Sequence, residues 1–379
     1  MKLKNVTSAT SIASQKSTWA KELSQGLIST NQLLAKKLIQ EKDIPVIQKT
    51  QKFFSTRVPQ QFVSEIQNQE KSISNQFIPS ESELHIFPEE LEDPIGDKKH
   101  EPIKGIVHRY PNRVLFKPTL LCAVYCRFCF RKNQVSHCEN NLHEKEILSA
   151  MEYIKNHTEI WEVIVTGGDP LVLTDKQLEN IILLFNDIPH LKIIRFHTRI
   201  FTVLPSRINE TLLNIFQKSK HQIWMVCHIN SHAEFTDNAK DAIKFFSKSG
   251  FPILLQSVLL KNVNDSFEQL KLLFETAVEN SIKPYYLHYL DLAQGTEHFR
   301  VELEEALHLY ENLRGKLSGL CIPDFMLDLP QGLGKISLKN SPYKKINSTT
   351  WEFQSPLTKE TVIVTYPKKN SPPTNENIL

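Results

Sequence analysis

The sequence predicts an α/β fold in which parallel strands alternate with helices, and two observations carry that expectation. From about Val107 onward, short apolar and β-branched runs recur at Val114–Phe116, Val163–Thr166, Ile193–His197, Ile223–His228, Ile253–Leu259 and Tyr285–Leu290. Each lies after or between segments of helical periodicity, so six βα units follow one another and call for parallel pairing with right-handed crossovers. Polar groups also gather at the C-terminal ends of the later runs, where parallel α/β folds place their chemistry. Periodicity leaves open whether the strands close into a barrel or lie in a doubly wound open sheet.

Taken in order, residues 1–100 read as a helical layer and a connector. Thr18 to Lys37 and Ile44 to Phe54 have loosely helical apolar spacing, and Gln67 to Lys99 is polar with scattered prolines. Nothing in this part reads as catalytic. Residues 101–336 hold the βα units. Thr174 and Gln177 form a capping box ahead of Leu178, Ile181, Ile182 and Phe185. A second helix is expected from Ser266 to Glu279, with Phe267, Leu270, Phe274 and Val278 on one face, and a third from Val301 to Arg314, ended by Gly315 at its C′ position. Residues 337–379 form a small appendage: Thr349–Thr365 contains two strand-like pieces, and the Pro/Asn/Lys-rich end from Pro367 is expected to be disordered.

Composition narrows the function classes. The chain has 379 residues, 40% of them apolar, enough for a substantial core. A net charge of +3 gives no reason to expect nucleic acid or an anionic membrane as partner. No apolar run is long enough to cross a membrane, and the Ser/Thr-rich start lacks the apolar core of a signal peptide, so a cytoplasmic protein is expected. Six cysteines, three of them clustered, read as intracellular metal binding rather than a disulfide framework.

Those three, Cys122, Cys126 and Cys129, bring thiolates within reach of one inorganic centre. Iron–sulfur clusters and zinc both take such ligands, usually four. Three cysteines on a cubane leave one iron open to bind a small molecule. Buried structural cysteines, a zinc site and an electron-transfer cluster with a distant fourth ligand are the alternatives, and Cys138 keeps the last two open. Beyond the cysteines, Gly167 and Gly168 would let the backbone approach a ligand and Asp169 could accept from an amine, with a tight turn and a capping aspartate as the plain alternative. Lys335 follows a glycine-containing loop, and could be a phosphate ligand, a Schiff-base former or an ordinary surface lysine. The spacing of a P-loop is absent.

The cysteine spacing with its flanking Tyr125 and Phe128, followed by Gly167-Gly168-Asp169, resembles the radical S-adenosylmethionine (SAM) superfamily, whose fold is a partial (β/α)6 barrel with the cluster on the loop after the first strand. More specifically, His108-Arg109-Tyr110-Pro111-Asn112-Arg113-Val114, Pro284-Tyr285-Tyr286, Asp291-Leu292 with Gly295-x-Glu297-His298-Phe299-Arg300, and Asp328-x-Pro330-x-Gly332-x-Gly334-Lys335 resemble lysine 2,3-aminomutase and its relatives, over about residues 90–336. These enzymes also use pyridoxal 5′-phosphate (PLP). The resemblance implies that Cys122, Cys126 and Cys129 hold a [4Fe–4S] cluster, that Lys335 carries PLP covalently, and that Arg113 binds its phosphate with Tyr110 in the same cofactor set. It implies that Gly167, Gly168, Asp169, His228 and Gln256 seat SAM. Arg131 would take the substrate carboxylate, and Asp291 with Asp328 the distal ammonium of lysine. A substrate lacking that cation would leave two buried carboxylates unpaired.

Departures from the family pattern are Gln331 and Leu333 in the glycine-rich run, the shortened basic run Arg131-Lys132-Asn133, and the absence of any cysteine after Cys321. The last removes the zinc ligands of the longer clostridial-type enzymes. In length and in Cys126-Arg127-Phe128-Cys129-Phe130-Arg131, the chain is similar to the short bacterial branch whose β-lysine is attached to elongation factor P. The expected activity is interconversion of L-lysine and β-lysine, with an external electron donor such as flavodoxin or ferredoxin, no nucleic-acid or membrane partner, and the oligomeric state left open. The alternatives are an aminomutase for another amino acid, such as arginine or glutamate, and a non-catalytic iron–sulfur or zinc module.

Overall fold

The computed structural model describes residues 18–136 and 141–368. Cys138 and the chain beyond Lys368 lie outside them. Five short helices come first: α1 (Thr18–Ser24), α2 (Thr30–Ala35), α3 (Ile44–Gln51), α4 (Val63–Gln67) and α5 (Lys71–Phe77). The Ser29–Gln32 box starts α2, and the Glu70 side chain, accepting from Ser72 N–H, starts α5. The stretch expected to be an irregular connector is partly ordered. It contains α5, and a 3-10 turn at Glu81–Leu84 started by Ser80 and Glu83.

A nine-stranded sheet follows, its strands adjacent in chain order: β1 (Ile106–Tyr110), β2 (Arg113–Thr119), β3 (Glu162–Gly167), β4 (Ile193–Thr198), β5 (Gln222–His228), β6 (Ile253–Val258), β7 (Lys283–His288), β8 (Asp324–Leu329) and β9 (Gly334–Ser337). From β2 to β8 every pairing is parallel, while β1 on β2 and β9 on β8 are antiparallel. The crossovers carry α6 (Glu144–Asn156), α7 (Asp175–Phe185), α8 (Ile200–Val203) with α9 (Glu210–Gln217), α10 (Asp237–Ser247), α11 (Phe267–Glu279) and α12 (Leu303–Lys316) in turn. Residues from all nine strands line a single cavity, from Arg109 on β1 to Lys335 on β9. The sheet is therefore curled into a barrel, which stays open because β1 and β9 do not pair with each other.

All six expected strands are present, and so are the expected starts of α7 and α11. The structure adds a seventh parallel strand, β8, and two antiparallel edges, β1 and β9. Gly315 does not end α12. It lies inside the last turn, and the helix closes one residue after Lys316, where the Leu317 N–H reaches the Leu313 carbonyl. The appendage is a three-stranded antiparallel sheet of β10 (Tyr343–Lys345), β11 (Thr350–Gln354) and β12 (Thr361–Thr365). Trp351, Phe353, Val364 and Tyr366 join the apolar core that begins at Trp19. No described helix is long and apolar enough to cross a membrane.

Candidate active site

The cysteine loop leaves β2 and is fastened from the N-terminal layer. Tyr125 N–H donates to the Arg57 carbonyl at 3.2 Å and Arg127 N–H to the Gln76 carbonyl at 2.9 Å. Arg127 Nε and Nη2 donate to Glu83 at 3.0 and 2.6 Å, and Lys132 Nζ donates to the same carboxylate at 2.8 Å. Burial works to raise the Glu83 carboxyl, but Arg127 and Lys132 overcome it and hold it at about 2.

Cys122, Cys126 and Cys129 all line the cavity. Burial pushes the three thiols up, Cys129 to about 11, and the Arg199 guanidinium opposes the rise at Cys126. Among the described residues, no three His, Cys, Asp or Glu side chains converge on one ion-sized point. Of the described cysteines outside the loop, Cys227 and Cys321 are buried and neither lines the cavity.

Gly167 and Gly168 border the cavity, but what demands glycine there is the cysteine loop. A Cβ on Gly167, whose φ is +121°, would stand 2.3 Å from the Thr119 carbonyl oxygen, and one on Gly168 would stand 2.2 Å from that of Leu121. The backbones are instead joined by Gly168 N–H to Thr119 O and Asp169 N–H to Leu121 O, both 2.8 Å. Asp169 is a turn cap: it accepts from Thr198 Oγ1 at 2.8 Å, from Arg199 N–H at 2.7 Å and from Leu171 N–H at 3.1 Å. Burial raises its carboxyl to about 6. Further along the same rim, His228 and Gln256 face the cavity from the last residue of β5 and from β6. Burial and the nearby Arg199 charge push His228 well below the usual imidazole range.

Lys335 sits on an antiparallel edge strand rather than on a glycine loop. Its N–H donates to Tyr110 Oη at 2.8 Å, which ties β9 across the barrel opening to β1. Its Nζ lies 2.7 Å from Asp328 Oδ2 and 3.3 Å from His288 Nδ1. Arg113 stacks its guanidinium 3.8 Å from the centre of the Tyr110 ring and donates to Asn112. Tyr285 and Tyr286, their ring centres 3.6 Å apart, line the cavity beside Lys335.

The charges form a chain. Arg131, buried, gives Nε and Nη2 to Asp97 at 2.9 and 2.6 Å. Arg109 spans Asp97 at 3.2 Å and Asp328 at 3.8 Å. Burial and the neighbouring Asp328 raise Asp291 to about 7, whereas Lys335 and His288 pull Asp328 below the ordinary carboxylate range against its own burial. Every residue expected at the site lines this one cavity of about 670 Å³.

Residues 116–274 match the model of the Radical SAM superfamily. The chain is 39% identical over 299 residues to L-lysine 2,3-aminomutase of Methanococcus maripaludis, an alignment covering 78% of this chain and 69% of that protein. The chain belongs to the L-lysine 2,3-aminomutase family. To L-lysine 2,3-aminomutase of Acetoanaerobium sticklandii it is 36% identical over 72% of this chain, and it spans just under two thirds (65%) of that relative's length. To L-lysine 2,3-aminomutase of Haemophilus influenzae it is 37% identical over 78% of this chain and 88% of that protein. The family is one of isomerases, and its place among radical SAM proteins implies a [4Fe–4S] cluster and SAM.

Sequence reading missed several residues that hold the arginines around this cavity. Asp97, Glu83 and Gln76 lie in the segment read as a connector, yet they hold Arg131, Arg127 and Arg199. Arg199 and Glu234 form a buried pair against the cysteine loop. The one available signal was the arginine of His197-Thr198-Arg199, placed directly after a strand whose neighbours carry site residues.

Proposed function

We propose that this protein interconverts L-lysine and β-lysine by a radical SAM, PLP-dependent shift of an amino group between adjacent carbons. The observation that supports this best is the meeting, in one cavity, of three cysteines, a lysine on an edge strand and two buried carboxylates. The residues fit the groups. The cysteines are free, half-buried and line the same cavity. Lys335 faces the cavity between aromatic rings and a hydrogen-bond acceptor, and Arg113 stands with Tyr110 at the same end.

Cys122, Cys126 and Cys129 would hold the cluster; Gly167, Gly168, Asp169, His228 and Gln256 would border SAM; Lys335, Arg113 and Tyr110 would hold PLP. When bound, the cluster and SAM supply a carbon radical able to take hydrogen from an unactivated carbon, and PLP supplies a conjugated ring that eases nitrogen migration. Arg131, oriented by Asp97, would bind the substrate carboxylate through a planar donor. Asp291 and Asp328 would receive the distal ammonium and reject side chains without a cation.

A low-potential electron donor such as flavodoxin or ferredoxin, a cytoplasmic setting and delivery of β-lysine to elongation factor P belong to the same reading. The test is anaerobic incubation of reconstituted protein with SAM, PLP, a strong reductant and an amino-acid panel, read by chiral mass-spectrometric separation. β-Lysine formed from lysine alone, and lost in Lys335→Ala and Cys126→Ala, is the expected result. Cleavage of SAM to 5′-deoxyadenosine with a β-amino acid from another substrate would overturn the lysine assignment. No cluster and no PLP absorbance would overturn the enzyme reading itself.

A further inference from the structure

Arg199, the residue after β4, brings a guanidinium against the cysteine loop. Its Nη1 lies 2.7 Å from Cys126 Sγ. Its Nη2 donates to Gln76 Oε1 at 2.5 Å and to Glu234 Oε2 at 2.9 Å. Phe77 and Phe128 flank it, with ring centres 4.7 and 5.5 Å from its central carbon. Glu234 is itself fixed, accepting from Asn230 N–H at 2.9 Å and Ser231 N–H at 3.2 Å. Gln76 and Glu234 are fully buried, and Arg199 itself is only 6% exposed.

We propose that Arg199 is a positioning residue for the iron–sulfur cluster: clamped by Glu234 and Gln76, it holds the Cys126 sulfur by a charged hydrogen bond and, through that sulfur, sets how readily the cluster accepts an electron. This rests on the reading that Cys122, Cys126 and Cys129 carry a [4Fe–4S] cluster. The step concerned is the one-electron reduction of [4Fe–4S]2+ to [4Fe–4S]+ by a low-potential one-electron donor. The reduced cluster carries one more negative charge, and a cationic N–H donor on a ligand sulfur stabilises it. Glu234 places an anion behind that donor and offsets part of its field. The two residues therefore act on the cluster with opposite sign. An ion pair that served packing alone would need no contact with Cys126.

That sign difference is the test. The full chain, reconstituted anaerobically without SAM, is titrated with dithionite and redox mediators, and the reduced cluster is followed by electron paramagnetic resonance. Arg199→Gln is expected to lower the reduced-to-oxidised ratio at a fixed poise by roughly tenfold, equivalent to about 59 mV for one electron. Glu234→Gln, nearly isosteric, is expected to raise that ratio, and Arg199→Lys to fall between wild type and Arg199→Gln. Equal potentials in wild type and Arg199→Gln at matched iron content would overturn the proposal. So would shifts of the same sign in Arg199→Gln and Glu234→Gln, which is what general loosening of the loop would cause. Should Arg199→Gln fail to take up iron, Arg199→Lys and Glu234→Gln carry the same comparison. A wild-type protein with no [4Fe–4S] signal would instead remove the cluster reading, and this proposal with it.

Discussion

Glu83 joins the N-terminal layer to the cysteine loop, and Glu83→Gln measures what that joint is worth. Its carboxylate is fully buried and is shared by Arg127, which stands between Cys126 and Cys129 in the chain, and by Lys132. Glutamine keeps the volume and one accepting oxygen, so the substitution isolates the charge. Removing one partner of a buried ion pair costs about 3–5 kcal/mol. One anion here serves two cations, which puts the expected loss near the upper end, about 5 kcal/mol out of a folding stability of about 5–15 kcal/mol. Because the carboxyl is depressed from 4.5 to about 2, its stabilisation is complete above the ordinary value and disappears only as pH falls through that interval. The loss should therefore be flat across neutral pH. The assay is anaerobic urea unfolding followed by tryptophan fluorescence, with iron content measured after reconstitution. Adding Lys132→Met removes one orphaned cation and should recover part of the loss, a coupling that a double-mutant cycle reads directly. A Glu83→Gln protein within about 1 kcal/mol of wild type and fully loaded with iron would refute the claim that this layer clamps the cluster loop.

Three further outcomes are expected. Burial and Asp328 raise the Asp291 carboxyl from 3.8 to about 7, so its contribution to stability declines as pH rises through that interval, while a cation meets a fully ionised pair only above it. Calorimetric binding of lysine should tighten as pH rises through the raised Asp291 value, and Asp291→Asn should flatten the dependence. Gly168→Ala must displace the Leu121 carbonyl, which the new Cβ would meet at 2.2 Å. A cost of about 1–3 kcal/mol and reduced iron uptake should follow, seen by unfolding and iron assay. Tyr110→Phe leaves the Lys335 N–H without its acceptor, a loss of about 1–3 kcal/mol that should appear as weaker PLP retention on dialysis.

What the sequence disclosed and what it hid divide along the range of the interactions. The cysteine loop, the capping box at Thr174 and the buried runs of β3 to β7 are local patterns, and each lies where it was expected. β9 was read as a loop because Gly334 and Gly332 look like turn residues. Both do have positive φ, but the pairing of Lys335 with Asp328 across β8 is a tertiary fact. Glu83 and Asp97 give no signal in the sequence, because Arg127 and Arg131, which they hold, lie 44 and 34 residues further along the chain. The sequence singles out Gly167 and Gly168 for ligand approach, and the structure shows that their missing Cβ atoms also let two backbones touch. Residue type marked the site; only folding could show who neutralises whom.

The ion pair between Lys335 and Asp328 bears on the order in which the proposed cofactor and substrate would bind. Asp328 is ion-paired with a primary ammonium of the chain itself, the kind of group the proposed substrate would bring. On the proposed function, engaging Lys335 with PLP would withdraw that cation from Asp328 and leave its place to the distal ammonium of lysine, with cofactor binding first and substrate second. It also means that Lys335→Ala removes a nucleophile and a counterion together. Lys335→Arg separates them, keeping the cation beside Asp328 while losing the amine.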